Sequence, residues 1–451
     1  MAQRLIRIFV AGVAVAALVS CSSGMPLPPQ AGYGPNPQLP APKSSLLPVV
    51  NIAPAQPWAE GRTPVARAGF AVNAFARGLT HPRWLYTLPN GDVLVAETNG
   101  PGEPVKGIRG WVMKMVMQRA GAATPSPNRI TLLRDGDGDG VAETRTIFLQ
   151  GLFSPFGMAL VGNDLYVANA DSVMRFPYVA GETSIASGGA KLADLPGGPI
   201  NHHWTKNIIA SRDGSKLYVT VGSNSNVGEN GMENETDRAA ILEIDRASGA
   251  KRVFASGLRN PNGMDWEPRT GALWTVVNER DELGDDLVPD YMTLVREGGF
   301  YGWPYSYYGN HVDARVKPQR PDLVAKALVP DYALGAHTGT LGLAFYTGTA
   351  LPEHYRGGAF IGQHGSWNRS QANGYKVIFV PFANGRPSGP PEDVLTGFLD
   401  SNENAQGRPV GVAITQQGSV LVADDVGNAV WRVTAMPGAL ASSHEEQGRL
   451  P

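Results

Sequence analysis

The segment NGDVLVAETNG at residues 90–100 consists of a glycine turn, a short apolar strand and a polar end. The same pattern recurs as GNDLYVANADS (162–172), DGSKLYVTVGSN (213–224), TGALWTVVNERD (270–281), RGGAFIGQHGSWN (356–368) and QGSVLVADDVGN (417–428). Six copies of one strand-and-turn unit at irregular spacing are typical of a β-propeller. We therefore expect an all-β fold, a six-bladed β-propeller with one copy of the unit in each blade.

The polar ends of these units indicate where a functional site would lie. Corresponding strand ends share one face of a propeller, so their side chains would form a ring around the central channel. The residues at these ends are Glu97, Asn169, Ser223, Asn278, Glu279, His364, Asp424 and Asp425. We predict that a ligand binds within this ring.

Composition excludes several classes of function. The chain has 451 residues, 42% of them hydrophobic, which is enough for a large core. A formal net charge of -2 argues against a nucleic-acid partner, which would need a basic surface. We find no GxGxxG fingerprint between a strand and a helix, so a nicotinamide-dependent dehydrogenase is not expected.

The N-terminus has the features of an export signal. Arg4 and Arg7 precede an apolar run that is too short to span a membrane, and LVSC follows at residues 18–21. This sequence resembles the lipobox of bacterial lipoproteins, so residues 1–21 are predicted to be a lipoprotein signal peptide with Cys21 as the lipidated residue. The alternative is an ordinary signal peptide with an incidental cysteine. Either places the protein outside the cytoplasm, and the first predicts a lipid anchor in the cell envelope, at the outer membrane or the periplasmic face.

The remaining chain divides by composition. Residues 22–58 are rich in proline, glycine and serine, which predicts a flexible tether. Residues 59–436 contain all six repeated units and are predicted to form the propeller. Residues 437–451 are predicted to be a C-terminal tail.

Charge is concentrated after the fourth repeated strand. Arg259 and Asn260 precede that strand, and carboxylates follow it at positions 279, 281, 282, 285 and 286. Like charges held close together repel, so a metal ion or neighbouring arginines should lie among them.

Two adjacent histidines, His202 and His203, precede the third repeated strand. Neighbouring side chains of an extended segment point to opposite sides, so only one of them can face a given site. Histidine is the natural base for removing a hydroxyl proton near neutral pH. A hydrogen-bonded structural histidine is the alternative interpretation.

The fifth repeated strand ends in another group of functional side chains. His364 and Arg369 offer hydrogen-bond donors, and Trp367 offers a flat stacking face. Arg408 precedes the sixth copy. Cations and an aromatic ring at matching strand ends suit a flat, polyanionic ligand.

Alternating aspartates at Asp135, Asp137 and Asp139 have the spacing of calcium loops. An EF-hand requires a bidentate glutamate at the twelfth position, where this chain has Thr146, so the loop is not an EF-hand. It is either a structural Ca²⁺ site that includes Glu143 or a hairpin turn between residues 129–134 and 144–149.

Five segments together resemble a known family. They are GLRNPNGMDW, NERDELGDD, GGFYGWP, NHHWTKN and GQHGSWNR. They are similar to the soluble sugar dehydrogenases that use pyrroloquinoline quinone (PQQ), and most closely to the L-sorbosone dehydrogenase branch. The resemblance covers about Phe70 to Thr434 and implies a six-bladed propeller that carries PQQ on one face, a Ca²⁺ ion that bridges cofactor and protein, and a histidine base.

The resemblance also implies residue roles. His202 matches the base, with His203 as the alternative. The positions that match cofactor-binding residues are Lys206, Arg259, Asn260, His364, Trp367, Arg369 and Arg408. The calcium ion would be held by the carbonyl groups of Asp281 and Glu282, with carboxylates such as Asp285 nearby.

The implied activity is oxidation of an aldose or a sorbosone-like sugar aldehyde, with electrons passing to a periplasmic acceptor. One departure matters, because Asn201 stands where the family has an aspartate beside the base, and a carboxylate partner would raise basicity. Glucose is therefore a poor candidate for the substrate. Two alternatives are a calcium-dependent propeller hydrolase of the lactonase type and a non-catalytic propeller that binds sugars or a protein.

Overall fold

A computed structural model describes residues 28–43, 49–102, 115 and 117–437. The predicted signal peptide with Cys21, and residues 438–451 of the predicted tail, lie outside these ranges. Six antiparallel sheets of four principal strands each form six blades, and two of these sheets gain a short fifth strand. The prediction of an all-β, six-bladed propeller is confirmed.

The strands follow one another blade by blade. Those that precede the first complete blade are β1 (Tyr33–Gly34), β2 (Val65–Ala66) and β3 (Phe70–Arg77). Blade 1 contains β4 (Pro82–Thr87), β5 (Val93–Glu97), β6 (Arg129–Arg134) and β7 (Thr144–Leu149). Blade 2 contains β8 (Met158–Val161), β9 (Asp164–Ala168), β10 (Ser172–Pro177) and β11 (Ala190–Asp194). Blade 3 contains β12 (Ile208–Ala210), β13 (Lys216–Val221), β14 (Ala240–Asp245) and β15 (Lys251–Ser256).

Blades 4 and 5 carry small insertions. Blade 4 contains β16 (Asn260–Trp266), β17 (Leu273–Asn278) and β18 (Pro289–Leu294), then the hairpin β19 (Ser306–Tyr307) and β20 (His311–Val312), the helix α1 (Pro321–Val324) and β21 (Tyr332–Ala336). Blade 5 contains β22 (Thr340–Phe345), β23 (Ala359–Gln363) and β24 (Lys376–Val380), then the hairpin β25 (Phe382–Ala383) and β26 (Arg386–Pro387), and β27 (Glu392–Thr396). Short 3₁₀ helices occupy Pro29–Gly32, Met232–Glu235 and Glu353–Tyr355. No helix in the described ranges is long and apolar enough to cross a membrane.

Blade 6 closes the ring. It contains β28 (Pro409–Ile414), β29 (Val420–Asp424) and β30 (Ala429–Ala435), and its fourth strand is β3 from the other end of the chain. The pairing runs from Phe70 opposite Ala435 to Arg77 opposite Ala429. The two ends of the propeller are therefore joined by backbone hydrogen bonds within one sheet.

The repeated unit of the sequence occupies the same place in every blade. Each copy contains the second strand, which is β5, β9, β13, β17, β23 or β29. The first strands of the blades contact one another in order from β4 through β8, β12, β16, β22 and β28, and β28 returns to β4. The pattern of a glycine turn followed by alternating apolar residues thus predicted the positions of all six blades correctly.

The apolar core is divided between the blades. The described residues form six clusters of buried side chains. Five of them join two neighbouring blades, and the cluster between blades 1 and 2 also includes Leu341 of blade 5 and Val410 of blade 6. Trp274 of blade 4 packs with Ile361 of blade 5, for example, and Trp431 of blade 6 lies with Phe360 of blade 5. Burial of this apolar surface is the main force that holds adjacent blades together.

Glycines in the first strands let neighbouring blades approach closely at the axis. A Cβ atom added to Gly263 of β16 would lie 2.6 Å from the Leu343 nitrogen of β22. One added to Gly342 of β22 would lie 2.2 Å from the Val410 oxygen of β28. These positions require glycine because any side chain would meet backbone of the next blade.

The structure differs from the prediction that residues 22–58 form a flexible tether. Residues 28–43 and 49–58 lie against the propeller: β1 pairs with β21, the Ala405 nitrogen donates to the Pro54 oxygen at 2.7 Å, and the Trp58 indole nitrogen donates to Asp424 at 2.8 Å. Proline and glycine content predicted disorder, but these residues pair with loops that are distant in sequence. The prediction of a tether is therefore wrong for these residues.

Candidate active site

One face of the propeller collects two sets of residues. In blades 1, 4, 5 and 6 the residue that begins the first strand pairs with the residue that ends the second, as in Asn260 with Asn278 and Pro409 with Asp424. We call this the upper face. The polar ring predicted from the repeated units lies on it, and so do Arg259 and Arg408, which directly precede first strands.

Every blade contributes a buried polar atom to this face that has no hydrogen-bond partner among the described residues. The side chains concerned are Thr98, Asn169, Asn224, Asn260, Gln363 and Asp425, in order from blade 1 to blade 6. Unpaired buried polar groups are costly, so native proteins normally satisfy them with water or a ligand. The upper face therefore carries an unsatisfied hydrogen-bonding group in every blade.

Arg259 lies at the centre of the blade 4 part of the site. Its guanidinium is only 2% exposed, and it donates to the Glu279 oxygen at 2.7 Å and to the Asn226 side-chain oxygen at 3.1 Å. Its Nη2 also lies 3.5 Å from Asp281 Oδ2. A charged side chain that is held this firmly provides a fixed positive charge at the upper face.

Asp281 connects this arginine to blade 5. Its backbone nitrogen donates to Asn226, and its carboxylate lies 3.1 Å from His337 Nδ1. Burial alone would raise the pKa of Asp281, but the hydrogen bond from His337 and the charge of Arg259 outweigh it and hold that pKa below its ordinary value. Asp281 is therefore ionised, and its carboxylate is paired with both Arg259 and His337.

The three predicted metal carboxylates do not converge on one point. Glu282 pairs with Arg315 at 2.7 Å, and Asp285 accepts a hydrogen bond from the Ser370 nitrogen at 3.1 Å. Within the described ranges, the only group of three or more acidic or histidine side chains with ligand atoms close together lies elsewhere, on the Asp135 loop. A cation at residues 281–285 would therefore depend on backbone carbonyl oxygens.

The two histidines of the third blade differ in their surroundings. His203 is half-buried, and its Nδ1 lies 2.8 Å from the Ser223 carbonyl oxygen and 3.1 Å from the Ser223 hydroxyl. A carbonyl can only accept, so Nδ1 carries the proton and Nε2 keeps its lone pair. His202 is exposed, and its ring lies 4.8 Å from that of His203.

Burial lowers the pKa of His203 well below its ordinary value, and the positive charge of Arg259 lowers it further. His203 is therefore neutral near pH 7. A Cβ atom added to Gly222 would meet both His203 Cβ and Asn260 Oδ1, which shows that these two side chains are neighbours. His203 thus adjoins the Arg259–Asn260 pair.

Lys206 does not lie at the surface of the site. It is fully buried, and its ammonium donates to the backbone oxygens of His203 and Trp204, each at 3.2 Å. Burial lowers the pKa of Lys206 well below its ordinary value. This placement favours a role in holding the histidine segment over the predicted direct contact with a cofactor.

A second polar group joins blades 5, 6 and 1. Asp425 Oδ2 lies 2.8 Å from His364 Nε2, 2.6 Å from Arg83 Nη1 and 3.6 Å from His81 Nε2. Burial would raise the pKa of Asp425, but these three partners hold it well below its ordinary value. Burial lowers the pKa of His364 more than Asp425 raises it, so His364 is neutral near pH 7.

The other predicted cofactor-binding residues have distinct environments. Trp367 is 37% exposed, as a stacking surface would be. Arg369 is engaged with the Asp285 carbonyl and with Asp286, each at 3.0 Å, and so links two loops. Arg408 is buried, with its guanidinium 4.9 Å from the Tyr375 ring centroid and its Nε without a partner in the described chain.

His81 and Arg83 were missed by the sequence analysis. Both lie in HPR at the start of β4. Two other first strands begin with similar units: Asn260-Pro261 in β16 and Arg408-Pro409 just before and at the start of β28. A search for this second repeated unit, in addition to the second-strand pattern, would have identified them.

The Asp135 loop lies on the opposite face, because it connects the end of β6 to β7. Ligand oxygens of Asp135, Asp137, Asp139 and Glu143 lie within 4.8 Å of one another. They also accept hydrogen bonds from backbone nitrogens of the loop, such as Gly136 to Glu143 at 2.8 Å. The hairpin turn is present, and its geometry is compatible with a structural cation.

Comparisons with known proteins agree with this architecture. A family model described as Glucose / Sorbosone dehydrogenase matches residues 168–366, and one described as TrAA12-like matches residues 322–436. A protein from Borreliella burgdorferi that is described as uncharacterized is 30% identical over 328 residues, which cover 68% of this chain and 85% of that protein.

Solved structures share the fold. The holo form of the PQQ domain of a pyranose dehydrogenase from Coprinopsis cinerea matches with a TM-score of 0.67 at 20% identity, over 85% of this chain and 100% of that domain. A calcium structure of a Carbohydrate-Active Enzymes Family AA12 protein from Trichoderma reesei matches with a TM-score of 0.67 at 18% identity, over 86% of this chain and 99% of that one.

Proposed function

Because this chain belongs to the glucose/sorbosone dehydrogenase family, we propose that it is a PQQ-dependent dehydrogenase that oxidises an aldose or a sugar aldehyde at the upper face. The observation that carries the proposal is the position of His203. Its tautomer is fixed by Ser223, and it adjoins Arg259 and Asn260 at the mouth of the channel.

The residues present fit PQQ, which is a flat, anionic orthoquinone. The Asn260 side-chain oxygen and Arg408 Nε are buried without partners in the described chain, and Arg259 supplies a fixed positive charge between them and the 281–282 loop. Trp367 offers an exposed ring for stacking. When bound, the quinone would supply the acceptor for the two electrons that leave the substrate as hydride.

His203 is the residue that would remove the proton. The Ser223 carbonyl holds the proton on Nδ1, so Nε2 is free to accept one from the hydroxyl group of an aldose or a hydrated aldehyde. This geometry favours His203, the alternative from the sequence, over His202. Burial and the charge of Arg259 lower the pKa of His203 more than the hydrogen bond to the neutral Ser223 raises it, so Ser223 serves mainly to orient the imidazole.

Calcium would lie at residues 281–282. Ca²⁺ prefers oxygen ligands, and backbone carbonyls of this loop are the donors that remain after the side chains of Asp281 and Glu282 are paired. Arg259 and His337 would fix the loop, since both contact Asp281. The calcium structure of the Trichoderma reesei relative supports the choice of ion.

The N-terminal sequence supports a location in the cell envelope. A lipid anchor on Cys21 would retain the enzyme in the cell envelope, where a periplasmic acceptor would receive the electrons. The resemblance of the five sequence segments to the sorbosone branch is the ground for proposing a sugar aldehyde as substrate.

The proposal is tested with the protein lacking residues 1–21. Reduction of an artificial electron acceptor is followed with a panel of aldoses and sugar aldehydes, with PQQ and Ca²⁺ added separately and together. We expect turnover only when both are present. Lactone hydrolysis without PQQ would support a calcium-dependent hydrolase instead, and sugar binding without turnover would support a binding protein.

A further inference from the structure

A segment outside the blades contacts two of the predicted cofactor-binding positions. Residues 49–58, which we call the arm, lie on the upper face between blades 5 and 6. The Asn51 nitrogen donates to the Trp367 oxygen at 2.9 Å, and Arg408 Nη2 donates to the Ala53 oxygen at 3.2 Å. The arm thus contacts the stacking tryptophan and a cationic residue of the site directly.

Asn368 connects the arm to the proposed metal loop. Its side-chain nitrogen donates to the Val49 oxygen, and its side-chain oxygen accepts from the Glu282 nitrogen at 2.9 Å. Asn368 is only 4% exposed. One amide group therefore joins the arm to the residue whose carbonyl is proposed to hold calcium.

The arm is itself held on both sides of Ala53. The Ala405 nitrogen donates to Pro54 and the Gln56 nitrogen donates to Ala405, at 2.7 and 2.8 Å. Trp58 donates to Asp424, which also accepts from the Arg408 nitrogen at 2.7 Å. The Arg408 side chain therefore contacts the arm directly, and its backbone nitrogen shares the acceptor Asp424 with Trp58 of the arm.

A spacer between a lipid anchor and a domain needs none of these contacts. Ordering a backbone costs roughly 1–2 kcal/mol per residue, so an ordered arm must gain comparable free energy from its contacts. The contacts of the arm include one with Arg408 and, through Asn368, one with the Glu282 nitrogen, besides those with Ala405, Arg119 and Asp424.

We propose that the arm is a positioning element of the cofactor site, which fixes Arg408 through the Ala53 carbonyl and the metal loop through Asn368. This inference rests on the function proposed above. Its consequence is that loss of the arm weakens binding of PQQ and Ca²⁺ in a chain whose blades remain folded.

The first test separates the arm from an already folded chain. A protease recognition sequence is inserted at Gly61, which is exposed and has open space in its Cβ direction. The control is the same insertion at Gly162, an exposed turn with equally open space on the opposite face. Cleavage at Gly61 releases the arm together with β1, and removal of this N-terminal segment is verified by mass spectrometry. PQQ affinity is then measured by fluorescence quenching in the presence of Ca²⁺, and Asn368→Ala, in which β1 is intact, separates the effect of the arm from that of β1.

We expect PQQ affinity to fall about tenfold or more after cleavage at Gly61 and to stay within about twofold after cleavage at Gly162. Equal affinity of the armless and uncut proteins would overturn the inference. Failure of the uncut protein to bind PQQ would instead overturn the proposed function, so the two failures are distinguishable.

The second test uses matched substitutions in the full chain. Asn368→Ala removes the link between the arm and the metal loop, whereas Asn234→Ala removes an exposed hydrogen bond to the Asn230 oxygen, outside the arm. The Ca²⁺ concentration that gives half-maximal PQQ binding should rise about tenfold in Asn368→Ala and change little in Asn234→Ala. Equal Ca²⁺ requirements in the two variants would contradict the positioning role, even if the arm cannot be removed after cleavage.

Discussion

His203 and His202 are adjacent, and the hydrogen bond from His203 to Ser223 defines the chemistry of the His203 ring. Ser223 accepts from Nδ1 of His203 and leaves Nε2 as a proton acceptor, while the exposed His202 ring packs against the His203 ring. The alternation of side chains along the segment predicted that one histidine faces the site. Which one does so depends on Ser223, which lies 20 residues away along the chain.

Substitution of each histidine should separate their roles. We expect His203→Asn to lower kcat by about 10²–10⁴-fold, the usual contribution of a general base, and His202→Asn to lower it by less than about tenfold. The measurement is dye reduction at saturating substrate, PQQ and Ca²⁺, with PQQ affinity measured in parallel. A larger loss of kcat in His202→Asn than in His203→Asn would indicate that His202 is the base.

His81 should make the stability of the protein sensitive to acid. It is 4% exposed, and burial lowers its pKa from 6.5 to about 4, which Asp425 only partly offsets. Since the folded pKa is depressed, this contribution to stability is present above pH 6.5 and is lost as the pH falls from 6.5 to 4. The loss is on the order of 3 kcal/mol for one histidine.

Urea unfolding near neutral pH and near pH 4 measures this effect. His81→Asn is the matched variant, because asparagine tolerates the positive φ of 53° at this position. We expect the variant to lose less stability than the wild-type protein over the same pH interval. An equal loss in both proteins would show that His81 titrates normally in the folded state.

Among the elements, the first strands of the blades are under the tightest steric constraint. Gly342 of β22 faces the Val410 carbonyl of β28, and a methyl group there would lie 2.2 Å from that oxygen. We expect Gly342→Ala to destabilise the protein by about 1–3 kcal/mol or more, as overpacking of backbone does. Gly188→Ala is the control, because that position has an open Cβ direction and should change the free energy of unfolding by less than about 0.5 kcal/mol.

The elements also show what sequence reasoning reached and what it did not. All six second strands were located, because a glycine turn followed by alternating apolar residues is a local signal. The arm was predicted to be flexible from its composition, which is local information. Its partners Trp367, Arg408 and Ala405 are more than 300 residues away, so composition does not reveal them. Lys206 was assigned to cofactor binding because it stands where the resembling family has an arginine, and its burial against the His203 carbonyl depends on tertiary structure that the sequence does not show.

At the scale of the whole molecule, the fold is a closed ring whose ends are joined by one pair of strands. β3 is the first of the principal blade strands along the chain and β30 is the last, and they complete blade 6 together. The proposed site draws side chains from blades 3, 4, 5 and 6, so the ring must be closed for these groups to face one another. Closure of the ring and assembly of the site are therefore coupled.

A disulfide across the closure should stabilise the protein more than one within a blade. Ala71 of β3 lies opposite Thr434 of β30, and Met174 of β10 lies opposite Lys191 of β11. The first pair closes a far longer loop, so in the chain-entropy description the cysteine pair Ala71→Cys/Thr434→Cys should add about 3 kcal/mol more than Met174→Cys/Lys191→Cys. Unfolding of the oxidised and reduced forms, without residues 1–21, measures both. Equal stabilisation would indicate that the ends stay together in the unfolded chain.

The central claim is that the upper face binds PQQ with the help of calcium. It is tested most directly by calorimetric titration of PQQ into the protein without residues 1–21, with Ca²⁺ and with a calcium chelator. We predict one saturable site with micromolar or tighter affinity in Ca²⁺, retained in His203→Asn and strongly weakened by the chelator. Absence of binding at micromolar PQQ in the presence of Ca²⁺ would contradict the account.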